Sequence, residues 1–160
     1  MRLWRVSNHA DLSGEGGRRA EGRWHERGRP VVYLAEHAAL ALLETLVHLE
    51  IDPEDLPSHY QLLTVEVPDA VAVEALAEAE LSARVANWRH APEETRKLTR
   101  TWFGERRTAL LRVPSVIVPE AYNYLLNPLH QDVARLTVAA RQTVQFDARL
   151  FGRLTPAGGR

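Results

Sequence analysis

The sequence predicts a single α+β domain in which helices flank a mixed sheet. Short runs rich in β-branched and aromatic residues, typical of strands, are interspersed with longer amphipathic or apolar helical patterns. The two kinds of segment do not alternate in the regular order of a parallel βαβ protein, and the chain has no internal repeat. At 160 residues it is most simply one domain with a sizeable core.

Five segments are predicted as strands because apolar, β-branched residues fill them and turn residues bound them. They are residues 3–6, 30–35, 60–67, 109–113 and, as a final strand or hairpin, 135–146. The last of these overlaps residues 133–141, whose pattern is also compatible with a helix. A short apolar run at 116–118 lies between two prolines, and residues 123–130 are predicted as a polar turn region.

Two helices are predicted with clear ends. One covers residues 36–50 and stops at the Asp52-Pro53 pair, and the other opens at Pro92 and continues to about Arg107. Residues 69–92 fit either a helix or a short strand followed by a helix, and residues 7–29 are predicted as a long loop.

Composition excludes several classes of protein. The net charge of −1 argues against direct nucleic-acid binding that depends on overall electrostatics. The absence of cysteine excludes a disulfide scaffold, a thiolate zinc site and a cysteine nucleophile. We find neither a secretory signal nor an apolar run of about 18 residues, so we expect a cytoplasmic protein without a membrane association.

Residues 14–29 contain five glycines and five arginines directly before a predicted strand. Glycine allows close backbone approach to a ligand, and the arginine side chain matches the geometry of phosphate. The segment is therefore either a site for a phosphate-bearing small molecule or a solvated basic surface loop. The established nucleotide motifs are absent, since neither a complete G-x-G-x-x-G nor a phosphate-binding G-x-x-x-x-G-K-[ST] sequence occurs.

A narrow polar stripe interrupts the otherwise apolar helix predicted at 36–50. At 100° per residue, His37, Glu44 and His48 fall within about 40° of one another. The stripe faces either water or a cleft, and in a cleft Glu44 would be a functional carboxylate. Glu44 and His48 have the i, i+4 spacing of metal ligands, but no second cluster supplies the other ligands, so we expect no metal.

Three further polar residues lie in or beside predicted strands. Arg5 is either an edge charge in water or an anion ligand, and Tyr33 is either a core tyrosine or a ligand-stacking side chain. Ser115 follows a proline at a strand end, which is more typical of a turn than of a nucleophile, and no G-x-S-x-G surrounds it.

Taken together, the segments resemble the RES-domain family, the toxins of bacterial toxin–antitoxin pairs. The resemblance extends over residues 3–151 and is carried by six elements in order. They are Trp4-Arg5, Gly22-Arg23-Trp24, Val32-Tyr33-Leu34-Ala35, Ala41-Leu42-Leu43-Glu44, Leu111-Arg112-Val113-Pro114-Ser115 and Asn123-Tyr124-Leu125-Leu126-Asn127-Pro128-Leu129-His130. The chain departs from the family pattern at His25, where asparagine is expected, and near Thr99 or Arg100, where glycine is expected.

The resemblance implies an ADP-ribosyltransferase-like fold in which residues 1–152 form an NAD-binding catalytic domain and residues 153–160 a frayed tail. It implies that the nicotinamide–ribose bond of NAD⁺ is cleaved, by hydrolysis or phosphorolysis, and that NAD⁺ is a substrate and not a cofactor. Transfer of ADP-ribose to a protein and non-catalytic nucleotide binding are the alternatives.

The same resemblance implies roles for individual residues. Arg23, Tyr33, Glu44 and Ser115 are expected to be catalytic, and Arg5, Arg23, Tyr33 and Asn127 to bind substrate. The implied protein partners are a cognate antitoxin of the Xre type and a second copy of the chain in a homodimer. The resemblance assigns no role to His25, His37 or His48.

Overall fold

A mixed sheet forms the centre of the molecule. The computed structural model describes residues 1–48, 59–147 and 150. The strands are β1 (Arg2–Val6), β2 (Val32–Ala35), β3 (His59–Glu66), β4 (Val73–Ala75), β5 (Leu110–Pro114), β6 (Tyr122–Leu126) and β7 (Thr137–Gln145). Their order across the sheet is β4-β5-β6-β2-β1-β3-β7. Only the β4–β5 pair is parallel, and every other neighbouring pair is antiparallel.

Four α-helices accompany the sheet in the described part of the chain. They are α1 (Glu15–Arg19), α2 (Ala38–His48), α3 (Glu78–Arg84) and α4 (Pro92–Glu105). Helix α4 begins with a proline at its first position and two glutamates in its first turn, where the helix dipole favours negative charge. Two 3-10 helices cover Trp88–His90 and Gln131–Arg135.

The two faces of the sheet bury separate cores because successive side chains of a strand point to opposite faces. On β6, Tyr124 and Leu126 belong to one apolar cluster, whereas Leu125 between them belongs to another. The second cluster includes side chains of α3 and α4, and a smaller third cluster packs α2 against β1 and β2. Helices α2, α3 and α4 therefore cover one face, and loops and a 3-10 helix cover the other.

The sheet opens between β1 and β2. Their ladder contains a single pair, Trp4 with Ala35, whereas β1 forms five pairs with β3 and β2 forms four with β6. Beyond this pair the ladder stops, and Arg5 and Val6 of β1 line a cleft together with Tyr33 and Leu34 of β2. This opening places Arg5 at the edge of a cleft.

The predicted α+β class, with a mixed sheet flanked by helices, is confirmed. Strand β7 resolves the ambiguity of the last segment, and β4 followed by α3 resolves that of residues 69–92. The predicted helix 36–50 begins at Ala38, and its last two predicted residues lie outside the described part, as do residues 153–160. The predicted loop 7–29 contains the short helix α1.

The predicted polar turn at 123–130 is wrong in its first half and confirmed in its second half. Its first half belongs to β6, which pairs along its whole length with β2 on one side and β5 on the other. Asn123, the residue that favoured a turn, is 8% exposed and hydrogen-bonded inside the molecule, so a central strand accommodates it. The chain turns only after Leu126.

Candidate active site

A cleft of 530 Å³ opens between α2, the segment around residues 16–25 and the gap in the sheet. Its size is within the range of small-molecule binding sites. Four of the sequence-predicted site residues line it: Arg5, Arg23, Tyr33 and Glu44. The cleft therefore brings together side chains from β1, β2, α2 and the glycine- and arginine-rich loop.

Glu44 lies in the middle of α2 on the wall of the cleft, so the polar stripe of this helix faces a cleft at this residue. Its Oε1 accepts hydrogen bonds from Ser115 Oγ at 2.9 Å and from Asn123 Nδ2 at 2.6 Å. Within the described residues no hydrogen bond involves Oε2. The carboxylate is thus fixed through Oε1 on the wall of the cleft.

Ser115 acts on Glu44 and does not line the cleft itself. The residue is 1% exposed, and its Oγ accepts hydrogen bonds from the amides of Ile117 and Val118 at 3.1 Å each. Because these amides occupy the acceptor side of the hydroxyl, its single proton is directed at the Glu44 carboxylate. Ser115 is therefore placed to orient the Glu44 carboxylate, and its expected catalytic role stays a prediction.

Arg5 reaches the cleft from the C-terminal end of β1. Its Nη1 donates to the carbonyl of Asp11 at 3.1 Å, and burial lowers the pKa of the guanidinium while the Asp11 charge opposes that shift. The side chain is half-buried and stays charged, because the ordinary pKa of arginine lies far above neutrality. Among the described residues its guanidinium donates to the Asp11 carbonyl alone, so donors remain for an anionic ligand.

Arg23 belongs to a four-residue segment, 22–25, that we call the arginine turn. Its ends are joined by the hydrogen bond from the Gly22 amide to the His25 carbonyl at 3.1 Å. Arg23 Nη1 donates to the Trp88 carbonyl at 3.2 Å. Burial lowers the pKa of its guanidinium, and the charge of Glu44 across the cleft raises it. Arg23 and Glu44 therefore form the positive and negative poles of one cleft.

Tyr33 and His25 form a buried hydrogen-bonded pair at the inner end of the arginine turn. His25 Nε2 lies 3.0 Å from the Ala20 carbonyl, which can only accept, so this nitrogen carries the proton. Burial lowers the pKa of His25, which favours the neutral ring, and Nδ1 therefore accepts from the Tyr33 hydroxyl at 2.8 Å. Burial also raises the pKa of Tyr33, so the phenol keeps its proton and directs it at His25.

Glycine is required at position 22 because the turn closes on this pair. A Cβ there would lie 2.6 Å from the Tyr33 hydroxyl oxygen and 2.8 Å from the His25 ring. A larger residue would displace one of the two side chains. Close packing thus explains the glycine of the Gly22-Arg23-Trp24 element.

Asn127 does not reach the cleft. Its side chain is 1% exposed, Nδ2 donates to the Phe103 carbonyl at 3.4 Å, and Oδ1 accepts from the Leu129 amide at 3.1 Å. Both ends of the amide are thus committed to backbone groups where the chain leaves β6. The structure thus places Asn127 outside the cleft lining, and its expected substrate-binding role stays a prediction.

The histidines of the predicted polar stripe have different positions. His48, one helical turn beyond Glu44, lines the cleft, whereas exposed His37 precedes α2 and contacts the Trp4 ring. Across the described residues, no group of three or more His, Cys, Asp or Glu side chains is arranged to hold a metal ion.

Two residues that position the site have no role in the predictions from the sequence. Asn123 appears there only as part of a motif, and His25 only as a departure from the family pattern. A polar residue in an otherwise apolar run, Tyr-Asn-Tyr-Leu-Leu, was the available signal for Asn123, because a buried polar group needs a partner.

Comparisons with known proteins agree on the family. The sequence profile of the RES domain matches residues 2–148. The chain is 46% identical over 151 residues to "Toxin Res" of Pseudomonas putida, covering 94% of this chain and all of that protein. It is 39% identical over 160 residues to "Prs ADP-ribosylating toxin" of a Sphingobium species, covering 93% of this chain and 96% of that protein.

A solved structure shows the same fold. The crystal structure of the Mycobacterium tuberculosis MbcT-MbcA toxin–antitoxin complex contains a chain that matches with a TM-score of 0.69 at 22% identity. The match covers 94% of this chain and 86% of that chain. The profile match over almost the whole chain and the identity to curated relatives lead to one conclusion: the protein belongs to the RES-domain family of toxins.

Proposed function

We propose that this chain binds NAD⁺ in the cleft and cleaves the bond between nicotinamide and ribose, and that the loss of NAD⁺ arrests growth. The observation that carries the proposal is the Glu44 carboxylate, fixed by Ser115 and Asn123 on the wall of a cleft that also contains Arg23 and Arg5. A fixed anion opposite cationic side chains suits a ligand that is anionic at one end and becomes cationic at another.

The chemistry needs few groups from the protein. Breaking the C–N bond leaves an oxocarbenium-like ribose and releases nicotinamide as a neutral molecule, so no general acid is required. A preorganised carboxylate stabilises the developing positive charge, and Glu44 supplies it. Water or phosphate then adds to the ribose carbon, and an acceptor proton is released.

The remaining residues bind and orient the substrate in this proposal. Arg23 and Arg5 hold the pyrophosphate, which charge-assisted hydrogen bonds favour. The hydroxyl proton of Tyr33 is committed to His25 and is unavailable as an acid. The role left for Tyr33 is to stack its ring on the nicotinamide side of the substrate.

A transferase that modifies a protein is the second candidate, and the Sphingobium relative, named an ADP-ribosylating toxin, favours it. The two candidates use the same residues and differ only in the acceptor. The deciding experiment mixes purified protein with NAD⁺ labelled in the adenine ring, with and without phosphate and with and without cell proteins. Glu44→Gln is run in parallel as the inactive control.

Free ADP-ribose would identify a hydrolase, its 1″-phosphate a phosphorolytic enzyme, and label attached to protein a transferase. NAD⁺ that binds and remains intact would overturn the catalytic proposal and favour a nucleotide-binding module. Growth arrest of cells that keep normal NAD⁺ levels would contradict the depletion mechanism.

We further propose that a cognate antitoxin closes the cleft. The matching solved structure is that of a toxin with its antitoxin, and the Xre type follows from the family resemblance. An acidic segment or terminal carboxylate could bind Arg5 and Arg23 as phosphate does. NAD⁺ and the antitoxin should then weaken each other's binding by the same factor, because linkage is reciprocal. Simultaneous binding without interference would exclude this form of neutralisation.

A further inference from the structure

The arginine turn has little regular structure of its own, yet its backbone is held at consecutive positions by one helix. The Gly22 carbonyl accepts from Arg96 Nε at 2.7 Å. The Arg23 carbonyl accepts from Thr95 Oγ1 at 2.8 Å, and the Trp24 carbonyl from Thr99 Oγ1 at 2.6 Å. Three successive carbonyls of residues 22–24 are therefore each bound by a different side chain of α4.

The three donors share one face of α4, because positions 95, 96 and 99 lie within about 100° of one another on a helix. Thr95 and Thr99 are 0% and 1% exposed. Threonine is a poor helix former, and its buried hydroxyl must find an acceptor. Two threonines buried in the interior of a 14-residue helix therefore need an explanation beyond the stability of that helix.

The hydroxyl geometry points to the turn. Each hydroxyl has one proton, although carbonyls of α4 also lie within reach. For Thr99 the distance to Trp24 O is 2.6 Å, against 3.1 Å to Arg96 O and 3.3 Å to Thr95 O. For Thr95 the Arg23 and Pro92 carbonyls lie at nearly the same distance, 2.8 and 2.9 Å. Both hydroxyls are therefore within hydrogen-bond distance of the arginine turn, and for Thr99 the turn is clearly the nearest acceptor.

Other contacts connect the same two elements. Arg96 Nη2 forms an ion pair with Glu21 at 3.0 Å, directly before the turn. Arg23 Nη1 binds the carbonyl of Trp88, which lies in the 3-10 helix before α4, and the Trp24 ring packs at 6.0 Å from the Trp88 ring. The backbone of Arg23 is thus bonded to α4, and its side chain is bonded to the 3-10 helix directly before α4.

We propose that Thr95, Arg96 and Thr99 of α4 act together as a positioning clamp that aims Arg23 into the cleft. The inference rests on the proposed function, because it takes the phosphates of NAD⁺ as the ligand of Arg23. Displacement of a binding group by about 1 Å can reduce the rate up to 10²-fold. Three held carbonyls fix the position of the Arg23 backbone and so limit such displacement of its side chain. None of the three clamp residues touches substrate in this arrangement.

The test is Thr99→Val, which keeps the shape of the side chain and removes the hydroxyl, with Thr95→Val as an independent second variant. Thr99→Ser restores the hydroxyl and should restore function. Thr108→Val is the matched control, because the Thr108 hydroxyl also bonds inside the fold, to Trp102 Nε1 and the Leu110 carbonyl, without touching the turn. For each variant we would measure the Kd for NAD⁺, kcat, KM and the thermal midpoint.

We expect Thr99→Val to raise the Kd and KM for NAD⁺ on the order of 10-fold with a smaller change in kcat. Thr99→Ser should return both values to those of the wild type, and Thr108→Val should lower the thermal midpoint without changing either. An unchanged Kd in both valine variants of the clamp, at a lowered thermal midpoint, would overturn the proposal and leave a purely structural role.

Hydrogen exchange provides a readout that does not depend on NAD⁺. The Gly22 amide is bonded to the His25 carbonyl and the Trp24 amide to the Tyr33 hydroxyl, so both report the geometry of the turn. Thr99→Val should speed their exchange and Thr108→Val should not. If the wild type neither binds nor cleaves NAD⁺, the proposed function fails, while the contrast in exchange still decides whether the clamp exists.

Discussion

The two sides of the cleft hold their charged groups by different means. On the helical side, Glu44 is fixed by side chains, Ser115 and Asn123, that bond directly to its carboxylate. On the side of the turn, Arg23 is fixed mainly through its own backbone and its neighbours, by Thr95, Arg96 and Thr99. Substitutions on the first side should change the chemistry of the carboxylate, whereas substitutions on the second should change the position of a binding group.

The largest effect is expected on the helical side, from Glu44→Gln. Glutamine keeps an oxygen that can accept from Ser115 and Asn123, so the fold should survive while the charge is lost. Turnover of NAD⁺ should fall on the order of 10²–10³-fold with little change in binding, because the lost stabilisation belongs to the transition state. Steady-state kinetics and a separate binding titration would measure the two quantities.

The control for Glu44→Gln is Glu66→Gln. Glu66 is a carboxylate of β3 that pairs with Arg2 at 2.6 Å on the surface and does not line the cleft. This variant should turn over NAD⁺ at the wild-type rate. Full activity of Glu44→Gln would contradict the electrostatic role of the carboxylate.

The next effect tests the opposite pole. Arg23→Lys keeps the charge but loses the planar arrangement of donors, so affinity for NAD⁺ should fall by roughly 1.5–3 kcal/mol. The fold should remain, because three backbone carbonyls hold the turn without the Arg23 side chain, which adds only one hydrogen bond, to the Trp88 carbonyl. Arg19→Lys, an exposed arginine on α1 outside the cleft, is the control. An unfolded Arg23→Lys would show that the side chain has a structural role.

A smaller effect, that of Ser115→Ala, tests whether Ser115 only positions Glu44 or also contacts the substrate. Ser115→Ala removes one donor to Glu44 Oε1. It should lower kcat by raising the activation free energy about 1–2 kcal/mol, where the ranges for neutral and charge-assisted hydrogen bonds meet. If Ser115 acts only through Glu44, Ser115→Ala should add almost nothing in a chain that already carries Glu44→Gln. Additive losses in the double variant would instead indicate that Ser115 contacts substrate.

The same difference between the two sides explains what the sequence could predict. The α+β class, most strands and α4 follow from local periodicity, because each of these segments shows its own pattern. Glu44 was visible as a polar residue in an apolar helix. Asn123 carries a weaker signal, because Asn127 and Pro128, four and five positions later, favour a turn for the whole segment. Only its hydrogen bond to Glu44 shows how a central strand accommodates it.

The contacts of the arginine turn were invisible for a physical reason. Thr95 and Thr99 bind backbone carbonyls, which every residue possesses, so no complementary residue type marks the partner. The two hydroxyls are also 72 and 75 residues away from their acceptors in the sequence, so no local pattern connects them. A pair of side chains such as Ser115 and Glu44 can be suspected from the sequence, because both residue types are polar. A contact between a side chain and a backbone carbonyl can be recognised only in the structure.

The smallest expected effect concerns the inner end of the turn and depends on pH. Burial lowers the pKa of His25 in the folded chain, and the nearby charges of Arg96 and Arg29 act in the same direction, while the Ala20 and Gly17 carbonyls oppose it. Above the unfolded pKa of about 6.5 the ring is neutral in both states, and the contribution of His25 to stability is fully present. As pH falls below that value the unfolded chain takes up the proton first, and stability is lost down to and through the folded pKa.

We therefore expect the free energy of unfolding to decrease from pH 7 to pH 5 more in the wild type than in His25→Asn. His9→Gln, which changes an exposed histidine, should follow the wild type. Protonation also gives both ring nitrogens of His25 a hydrogen, so Nδ1 can no longer accept the Tyr33 proton and the pair must rearrange. KM for NAD⁺ should then rise in the wild type at the lower pH where the folded protein itself takes up the proton, and not in His25→Asn. Identical pH profiles of the two proteins would show that His25 does not titrate in this range and that the pair keeps its geometry.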